Sequence, residues 1–355
     1  MSLKPTAFAI PGDVTQKTGG YIYERELLKA LRAAGRSVEH VHLPAGFPDA
    51  TAAEIETTVA ALAEIPPAVP LIIDGRVFGS IPTEALAKIR APIIALIQHP
   101  LCLETGLAPE RAQHLRERET ANLTLARRVI VPSPSTAHIL VEQFGVPADR
   151  IATALPGFRT ADTVHTPLTP PLILSVGQLV ERKGHDILVA ALGHLRDLDW
   201  QAEIVGDAND LAVEAGLRQQ IADLGLGDRV TLAGLLSDDE LIERYRSATI
   251  FALATRYEGY GAVLGVALLH GLPIVSCDTG AVPDTVPHGA GILVPVNDVD
   301  AFADALRRLL TDRSLRSDLA WRSAEVGLEL PHWKATAELV GLVLDDEALT
   351  LSRQD

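Results

Sequence analysis

The chain has 355 residues, of which 47% are hydrophobic and 22% are charged, and its formal net charge is −15. This length predicts about two domains, and the acidity argues against a nucleic-acid binder and against strong membrane docking, because both need a basic surface. No apolar run reaches the roughly 18 residues of a spanning helix, no secretory leader opens the chain, and two distant cysteines fit a reducing compartment, so we expect a cytoplasmic protein.

The first part of the chain alternates apolar runs with segments of helical periodicity. A strand is predicted at Ala7–Ile10, and Gly19-Gly20 opens a helix whose charged residues, Glu24 among them, are expected to form a mixed surface face. Further strands are predicted at Val38–Leu43, Val69–Ile73, Pro92–Ile97 and Arg128–Val131, and further helices at Ala52–Ala63, Pro82–Ile89, Ala108–Ala126 and Ser135–Phe144. This alternation is typical of a parallel sheet covered by helices, with ligands beyond the carboxyl ends of the strands.

The composition changes between Ala161 and Pro171, where polar residues and three prolines predict a linker. After it the alternation restarts, with strands at Leu172–Val176, Ala202–Val205, Val230–Leu232, Thr249–Ala254, Pro273–Ser276 and Gly291–Val294 and helices between them. We therefore predict one α/β domain over residues 1–160 and a second over 171–330. The final helical segment, 331–355, is a candidate to pack back on the first domain.

One stretch of the second domain places a carboxylate just before a glycine-rich helix start. Glu258 precedes Gly259-Tyr260-Gly261, and an apolar helix follows. The N–H groups of a helix start and its dipole attract a phosphate, glycine allows close backbone approach, and a carboxylate accepts bonds from hydroxyls. The alternative is an ordinary turn between strand and helix in which glycine only provides the bend. These residues alone leave both interpretations open.

Several motifs together resemble the retaining glycosyltransferases of family 4. They are Gly19-Gly20, QHPLCLETG around His99, VIVPSPSTAHIL from Val129, LPGF from Leu155, SVGQLVERKGHDIL from Ser175, VGD from Val205, YEGYGAVLGVALLHGLPIVSCDTGAVPDTV from Tyr257 and GILVPVNDVDAFADALRRLL from Gly291. The resemblance covers nearly the whole chain. It implies an α/β fold of two facing Rossmann-like domains with a ligand cleft between them, the GT-B arrangement. It also implies transfer of a sugar from a nucleoside diphosphate sugar, UDP- or GDP-linked, to a hydroxyl-bearing acceptor with retention at the anomeric carbon.

The resemblance also implies roles for particular residues. Lys183 and Arg182 would meet the diphosphate, Glu258 the hydroxyls of the donor sugar, and His99 the same sugar from the first domain. The backbone at Gly259, Tyr260 and Gly261 would meet phosphate, with Gly20, Gln178 and Gly206 completing the donor set. Glu104 and Thr105 lie in the His99 loop and would touch the acceptor. Acceptor contacts are further expected from the segments 13–18, 76–80 and 101–107, and the acidic charge favours a soluble small molecule or glycan as acceptor.

No metal or other cofactor is expected besides the nucleotide sugar. The sequence has no HExxH motif and no Cys/His cluster. The two D-x-D matches, Asp197–Asp199 and Asp298–Asp300, fall at a predicted helix end and helix start, where surface caps are the more common use of aspartate. The sequence leaves the oligomeric state open.

Two positions depart from the family pattern, and both fall in the expected donor site. Val266 stands where the family usually has a second glutamate for the ribose hydroxyls, and Gln178 stands where an arginine is usual. The losses leave three outcomes open: weaker binding of an ordinary donor, a nucleotide held differently, or a non-catalytic nucleotide- or sugar-binding protein on the same fold. A nucleotide-sugar epimerase is disfavoured because no histidine-rich base set accompanies the donor motifs. A dinucleotide oxidoreductase is disfavoured because no G-x-G-x-x-G joins a strand to a helix.

Overall fold

The computed structural model describes residues 3–159, 165–208 and 210–351, with the backbone alone described for 347–351. The chain divides into two compact units. The first unit is built from the residues up to Gly157 together with those from Pro331 onwards, and the second unit is Phe158–Leu330. The first residues of the predicted linker, 161–164, lie outside the described part of the chain.

The first unit contains a six-stranded parallel sheet in the order β2-β1-β3-β4-β5-β6. Its strands are β1 (Thr6–Pro11), β2 (Val38–Leu43), β3 (Leu71–Asp74), β4 (Ile93–Leu96), β5 (Arg128–Val131) and β6 (Ile151–Thr153). Its helices up to this point are α1 (Gly19–Ala33), α2 (Ala52–Ala63), α3 (Gly75–Ser80), α4 (Thr83–Leu86), α5 (Pro109–Leu123) and α6 (Pro134–Phe144). The inner strands are buried throughout and, apart from Thr6 and Asp74, apolar, as expected for a sheet covered on both faces.

The second unit repeats this plan with the strand order β12-β11-β10-β7-β8-β9, again entirely parallel. Its strands are β7 (Leu172–Val176), β8 (Gln201–Val205), β9 (Val230–Gly234), β10 (Ile250–Leu253), β11 (Ile274–Cys277) and β12 (Gly291–Val294). Its helices are α7 (His185–Gly193), α8 (Leu211–Asp223), α9 (Asp238–Ser247), α10 (Ala262–Leu269), α11 (Val282–Thr285), α12 (Val299–Thr311) and α13 (Arg313–Glu329). Two Rossmann-like units therefore follow each other in the chain.

The last helix, α14 (Trp333–Leu351), packs on the first unit. Trp333 meets the ring of Tyr23 edge-on at 5.5 Å, and the Thr336 hydroxyl donates to the carbonyl of Leu155 at 2.8 Å. Gly157 lies so close to the backbone of Trp333 that a Cβ at position 157 would overlap it. The return of the chain to the first unit is therefore fixed by backbone contact as well as by apolar side chains.

Local sequence signals account for many of the element boundaries. The hydroxyl of Thr51 accepts from the backbone N–H of Glu54, whose carboxylate accepts from the N–H of Thr51, so a capping box begins α2. Gly145 takes a left-handed conformation, with φ of 66°, and ends α6. Both helices were predicted: the bounds of α2 are those predicted, and α6 begins one residue earlier than predicted.

Two predictions about the first unit were wrong in detail. Glu24 is fully buried, although its helix was expected to carry it on the surface. Residues 76–80, expected as a loop, form most of α3. Within the predicted linker, the N–H groups of residues 166 and 168 donate to the carbonyls of Arg246 and Ser247 in the second unit.

Within the described part of the chain, no helix combines the length and the hydropathy needed to cross a membrane.

Candidate functional site

The loop after β7 positions Lys183 at the carboxyl end of the second sheet. A short 3-10 helix, Glu181–Lys183, ends at Gly184, which has a φ of 63° and lies against the backbone of Ala254. A Cβ at position 184 would overlap the carbonyl oxygen of Ala254, so this turn requires glycine. The aliphatic part of the Lys183 side chain covers Gly177. A Cβ at position 177 would stand 3.2 Å from Cδ of Lys183. The Arg-Lys-Gly sequence thus folds Lys183 back over the start of its own loop.

The loop after β10 positions Glu258 at the same edge. Glu258 is 5% exposed, and the Thr255 hydroxyl donates to its Oε1 atom at 3.0 Å. The Glu258 carbonyl accepts from the N–H of Ala281 at 2.9 Å, and Gly280, with a φ of 51°, permits this approach because a Cβ there would overlap that carbonyl. Gly261, with a φ of 79°, is the N-cap of α10. The glycines of this stretch therefore shape the loop around a buried carboxylate.

Lys183 and Glu258 meet directly. Nζ of Lys183 lies 2.6 Å from Oε1 of Glu258, and Nη1 of Arg182 lies 3.8 Å from Oε2. Burial raises the pKa of Glu258, but the charges of Lys183 and Arg182 and the hydrogen bonds from Lys183 and Thr255 outweigh it, so the pKa lies below its usual value. Glu258 is therefore an ionised carboxylate that accepts hydrogen bonds. The side chains of Lys183 and Arg182 beside it can bind an anionic group of a ligand.

An ion pair that the sequence did not suggest joins the two loops. Arg256 donates from Nη1 and Nη2 to the two carboxylate oxygens of Asp186 at 3.0 and 2.7 Å, and its backbone N–H donates to the carbonyl of Arg182 at 2.8 Å. Arg256 also bonds Asn297 through Nε at 2.9 Å. Asp186 stands three residues after Lys183 and Arg256 two before Glu258, but only the fold reveals that they pair.

His185 is a second residue that the sequence did not single out. It begins α7, is 2% exposed, and places Nε2 at 3.3 Å from the carbonyl oxygens of both Gly177 and Gln178. Because carbonyls only accept, Nε2 carries the proton and Nδ1 does not. Burial lowers the pKa of His185 to about 4, so the ring is neutral at physiological pH. This neutral ring fixes the backbone of the loop that carries Gln178.

The other predicted donor residues of the second unit occupy distinct environments. Gly206 lies so near Gly177 that a Cβ would overlap the Gly177 carbonyl. The side chain of Tyr260 is buried, its ring centroid 6.2 Å from that of Phe158, so only its backbone is available to a ligand. Val266 is half-buried on α10 and packs against the apolar cluster on that face of the sheet. Gln178 is partly exposed in the loop after β7.

The predicted site residues of the first unit gather at the carboxyl edge of its own sheet. Gln98 donates from Nε2 to the carbonyl of Gly20 at 3.3 Å, which ties the loop after β4 to the start of α1. Nε2 of His99 lies 4.0 Å from a carboxylate oxygen of Glu104, and the N–H of Thr105 donates to the same carboxylate at 3.3 Å. His99, Glu104 and Thr105 are thus neighbours within one short loop.

Buried Glu119 holds this loop in place. Its carboxylate accepts from the N–H groups of Leu101 at 2.7 Å and Cys102 at 2.9 Å. Burial raises the pKa of Glu119, and those N–H bonds only partly oppose the shift. Its position in a charged helix gave no sequence signal for this role.

Among the residues that the structure describes, no three His, Cys, Asp or Glu side chains are grouped as a metal site would require. The two D-x-D segments have structural roles at the surface. Asp298 is the N-cap of α12, and Asp197 pairs with Arg307 at 2.6 Å.

Sequence comparison with known proteins relates the chain to glycosyltransferases. Residues 160–325 match the family model described as Glycosyl transferases group 1. The chain is 31% identical over 255 residues to a D-inositol 3-phosphate glycosyltransferase of Paenarthrobacter aurescens, covering 67% of this chain and 62% of that protein. It is 35% identical over 151 residues to a GDP-mannose-dependent alpha-(1-6)-phosphatidylinositol monomannoside mannosyltransferase of Mycobacterium tuberculosis, covering 40% of this chain and 39% of that protein. The chain spans less than two thirds of the length of these curated relatives.

Solved structures show the same fold. A sucrose-phosphate synthase from Thermosynechococcus elongatus superimposes with a TM-score of 0.82 at 23% identity, covering 98% of this chain and all of that one. The Anabaena protein HepE in complex with UDP and glucose superimposes with a TM-score of 0.74 at 18% identity, covering 96% of this chain and 99% of that one. The predicted GT-B fold is confirmed. Residues 160–325 of the chain therefore match the family of group 1 glycosyl transferases.

Proposed function

We propose that the protein is a retaining glycosyltransferase that moves a sugar from a nucleoside diphosphate sugar to a hydroxyl group of a soluble small molecule or glycan. The observation that carries the proposal is the buried pair of Lys183 and Glu258 at the carboxyl edge of the second sheet. A cation for the diphosphate and an ionised carboxylate for sugar hydroxyls are the two groups that such a donor needs. Lys183 is also the only lysine between residues 158 and 330.

The known proteins support the choice of donor. HepE is described in complex with UDP and glucose and with UDP-glucose, and a mycobacterial relative is named as GDP-mannose-dependent. A UDP- or GDP-linked sugar is therefore the first donor to test, with no metal or further cofactor. We place the reaction in the cytoplasm, where nucleotide sugars are available.

In the proposed reaction, the bond between the anomeric carbon and the diphosphate oxygen breaks while the acceptor oxygen bonds the same carbon on the same face. The acceptor proton passes to the departing diphosphate oxygen. Negative charge grows on the diphosphate as it leaves, and Lys183 and Arg182 stabilise that charge from fixed positions. Glu258 orients the sugar through its hydroxyls.

The test measures binding and turnover separately. Thermal unfolding is followed with UDP, GDP, ADP and TDP, and hydrolysis or transfer is then measured with the matching nucleotide sugars. We expect stabilisation by one nucleotide, and we expect Lys183→Ala to weaken its binding at least tenfold. Arg218→Ala is the matched control, because Arg218 forms an ion pair with Glu214 on the exposed side of α8. Absence of binding to any nucleotide would refute the proposal.

The alternative is a nucleotide- or sugar-binding protein without transferase activity. The apolar packing of Val266 favours it, because valine cannot accept bonds from ribose hydroxyls. Tight nucleotide binding without turnover of any donor would identify this alternative.

A further inference from the structure

A buried ionic cluster in the first unit has no role in the donor site. It joins Glu24 of α1, Asp74 at the end of β3 and Arg76 of α3. Nε and Nη2 of Arg76 donate to the two oxygens of Asp74 at 3.0 and 3.1 Å, and Nη2 also donates to Oε2 of Glu24 at 3.2 Å. Buried ionic groups are costly to keep in place of apolar packing, so a cluster with two buried carboxylates calls for a reason.

The cluster holds the guanidinium of Arg76 from several sides. Cζ of Arg76 lies 4.0 Å from the centroid of the Tyr21 ring, and the Tyr21 hydroxyl donates to the carbonyl of Pro11 at 2.8 Å. Gly12, with a φ of 66°, lets the chain pass closely, because a Cβ there would stand 2.8 Å from the Tyr21 hydroxyl. Ring, carboxylates and backbone therefore fix the plane of the guanidinium.

One edge of this guanidinium faces outward. The side chain of Arg76 is 27% exposed, whereas those of Glu24 and Asp74 are 0% and 3% exposed. Nε and Nη2 donate the bonds to the carboxylates, while Nη1 donates to neither of them. Nη1 carries two N–H groups, so it is the part of the cluster that a ligand can reach.

This edge lies where ligands of such sheets bind. Asp74 is the last residue of β3 and pairs in register with Leu96 of the neighbouring β4, three residues before His99. Gly75 lies against the end of β4, since a Cβ at position 75 would stand 2.9 Å from the carbonyl oxygen of Leu96. Arg76 and the His99 loop therefore follow adjacent strands at one carboxyl edge.

The net charge of the cluster of Glu24, Asp74 and Arg76 indicates which kind of ligand group it can bind. Two carboxylates surround one guanidinium, so the cluster has a net charge of −1 if both are ionised and zero if one is protonated. Burial, followed by the charge of Asp74, raises the pKa of Glu24 well above its usual value, which favours the neutral count. In neither case does the cluster offer the surplus positive charge that a phosphate needs. Its N–H donors instead suit an uncharged oxygen.

We propose that Arg76 binds the acceptor of the transferase through Nη1, and that the group it binds is an uncharged hydroxyl of a polyol or sugar rather than a phosphate. This rests on the proposed function and names the acceptor class for it. Asp74 and Glu24 act as positioning residues, because they hold the guanidinium and cancel its charge without touching the acceptor.

The test uses the full chain, the nucleotide sugar that the experiment under the proposed function selects, and matched pairs of acceptors: myo-inositol and its 1-phosphate, D-glucose and its 6-phosphate, and D-fructose and its 6-phosphate. Transfer is measured by mass spectrometry and steady-state kinetics. The variants are Arg76→Gln and Arg76→Lys, the second of which keeps the charge beside Asp74. Arg111→Gln is the control, because Arg111 pairs with the exposed carboxylate of Asp49 elsewhere in the first unit.

We expect transfer to the unphosphorylated member of at least one pair, with kcat/KM at least tenfold above that of its phosphate. Both Arg76 variants should raise the acceptor KM about tenfold and leave the Kd for the nucleotide unchanged, and Arg111→Gln should change neither. Preference for the phosphorylated members, no transfer to any pair, or an unchanged acceptor KM in both Arg76 variants would overturn the inference. The proposed function fails differently, by absence of nucleotide binding or donor turnover in the unaltered protein.

Discussion

Nζ of Lys183 and Oε1 of Glu258 lie 2.6 Å apart, joining two loops whose contributing residues are 75 positions apart in the chain. Both side chains are largely buried, 11% and 6% exposed. The two side chains proposed to bind the donor thus also stabilise the second unit, because removing either charge would leave the other buried without its partner.

We expect Lys183→Met to destabilise the second unit by about 3–5 kcal/mol, because Glu258 would remain buried without its closest cation. The double variant Lys183→Met with Glu258→Gln should lose less, because no charge is then stranded. Urea unfolding at pH 7 of both variants and the unaltered protein measures this. Equal losses in the single and double variants would show that the pair is not coupled.

His185 should make stability depend on pH in a definite window. Its folded pKa of about 4 lies below the usual value of 6.5, so the folded state resists protonation that the unfolded chain accepts. The stability present above pH 6.5 is therefore lost as the pH falls towards 4, by about 3 kcal/mol in all. His185→Gln, which keeps an N–H donor and does not titrate, should flatten this part of the profile. His114→Gln, at an exposed site, should leave it unchanged; identical profiles for His185→Gln and the unaltered protein would contradict the assignment.

Val266→Glu tests where the ribose lies. If the donor is held as in the relatives, the new carboxylate should accept the ribose hydroxyls and tighten nucleotide binding about tenfold, since hydrogen bonds to charged groups contribute about 1.5–3 kcal/mol. Val266→Leu is the control for a change of shape without new acceptors. Calorimetric titration with the identified nucleotide gives the result, and an unchanged Kd for Val266→Glu would place the ribose elsewhere.

The glycines that shape the candidate donor loops should tolerate no side chain. Gly184→Ala and Gly206→Ala would each drive a Cβ into a backbone carbonyl, so we expect losses of about 3 kcal/mol or more in unfolding free energy. Gly216 lies within α8 with nothing within 4 Å of its Cβ position, so Gly216→Ala should stabilise by about 0.5–1 kcal/mol. Chemical denaturation compares the three, and similar effects at all three positions would refute the packing argument.

The elements most accurately predicted from sequence are those whose signals are local. The predicted bounds of β2, α2, β7 and β12 match the structure, because a cap such as Thr51 and apolar runs mark them within a few residues. Strand β6 was missed because it has only three residues, all partly exposed, so no apolar run announces it.

The predicted site residues Lys183, Arg182 and Glu258 do come together, because each follows a strand at the same edge. The residues that hold them there gave no such signal. The pairing of Arg256 with Asp186 joins positions 70 residues apart, and the burial of Glu24 depends on Asp74 and Arg76 about 50 residues later. Helical periodicity predicts which face a residue occupies, but not whether a distant partner covers that face.

The contact of Gly157 with the backbone of Trp333 has a consequence for engineering. The chain leaves the first unit after Gly157 and returns at Pro331, so the two cut points of that unit touch each other. Residues 158–330 are therefore an insertion into the first unit, and the two ends of the interrupted chain of that unit meet at this contact. A short peptide joining the two cut points should yield the first unit as an independent protein, and residues 158–330 become a cassette that can be exchanged between hosts.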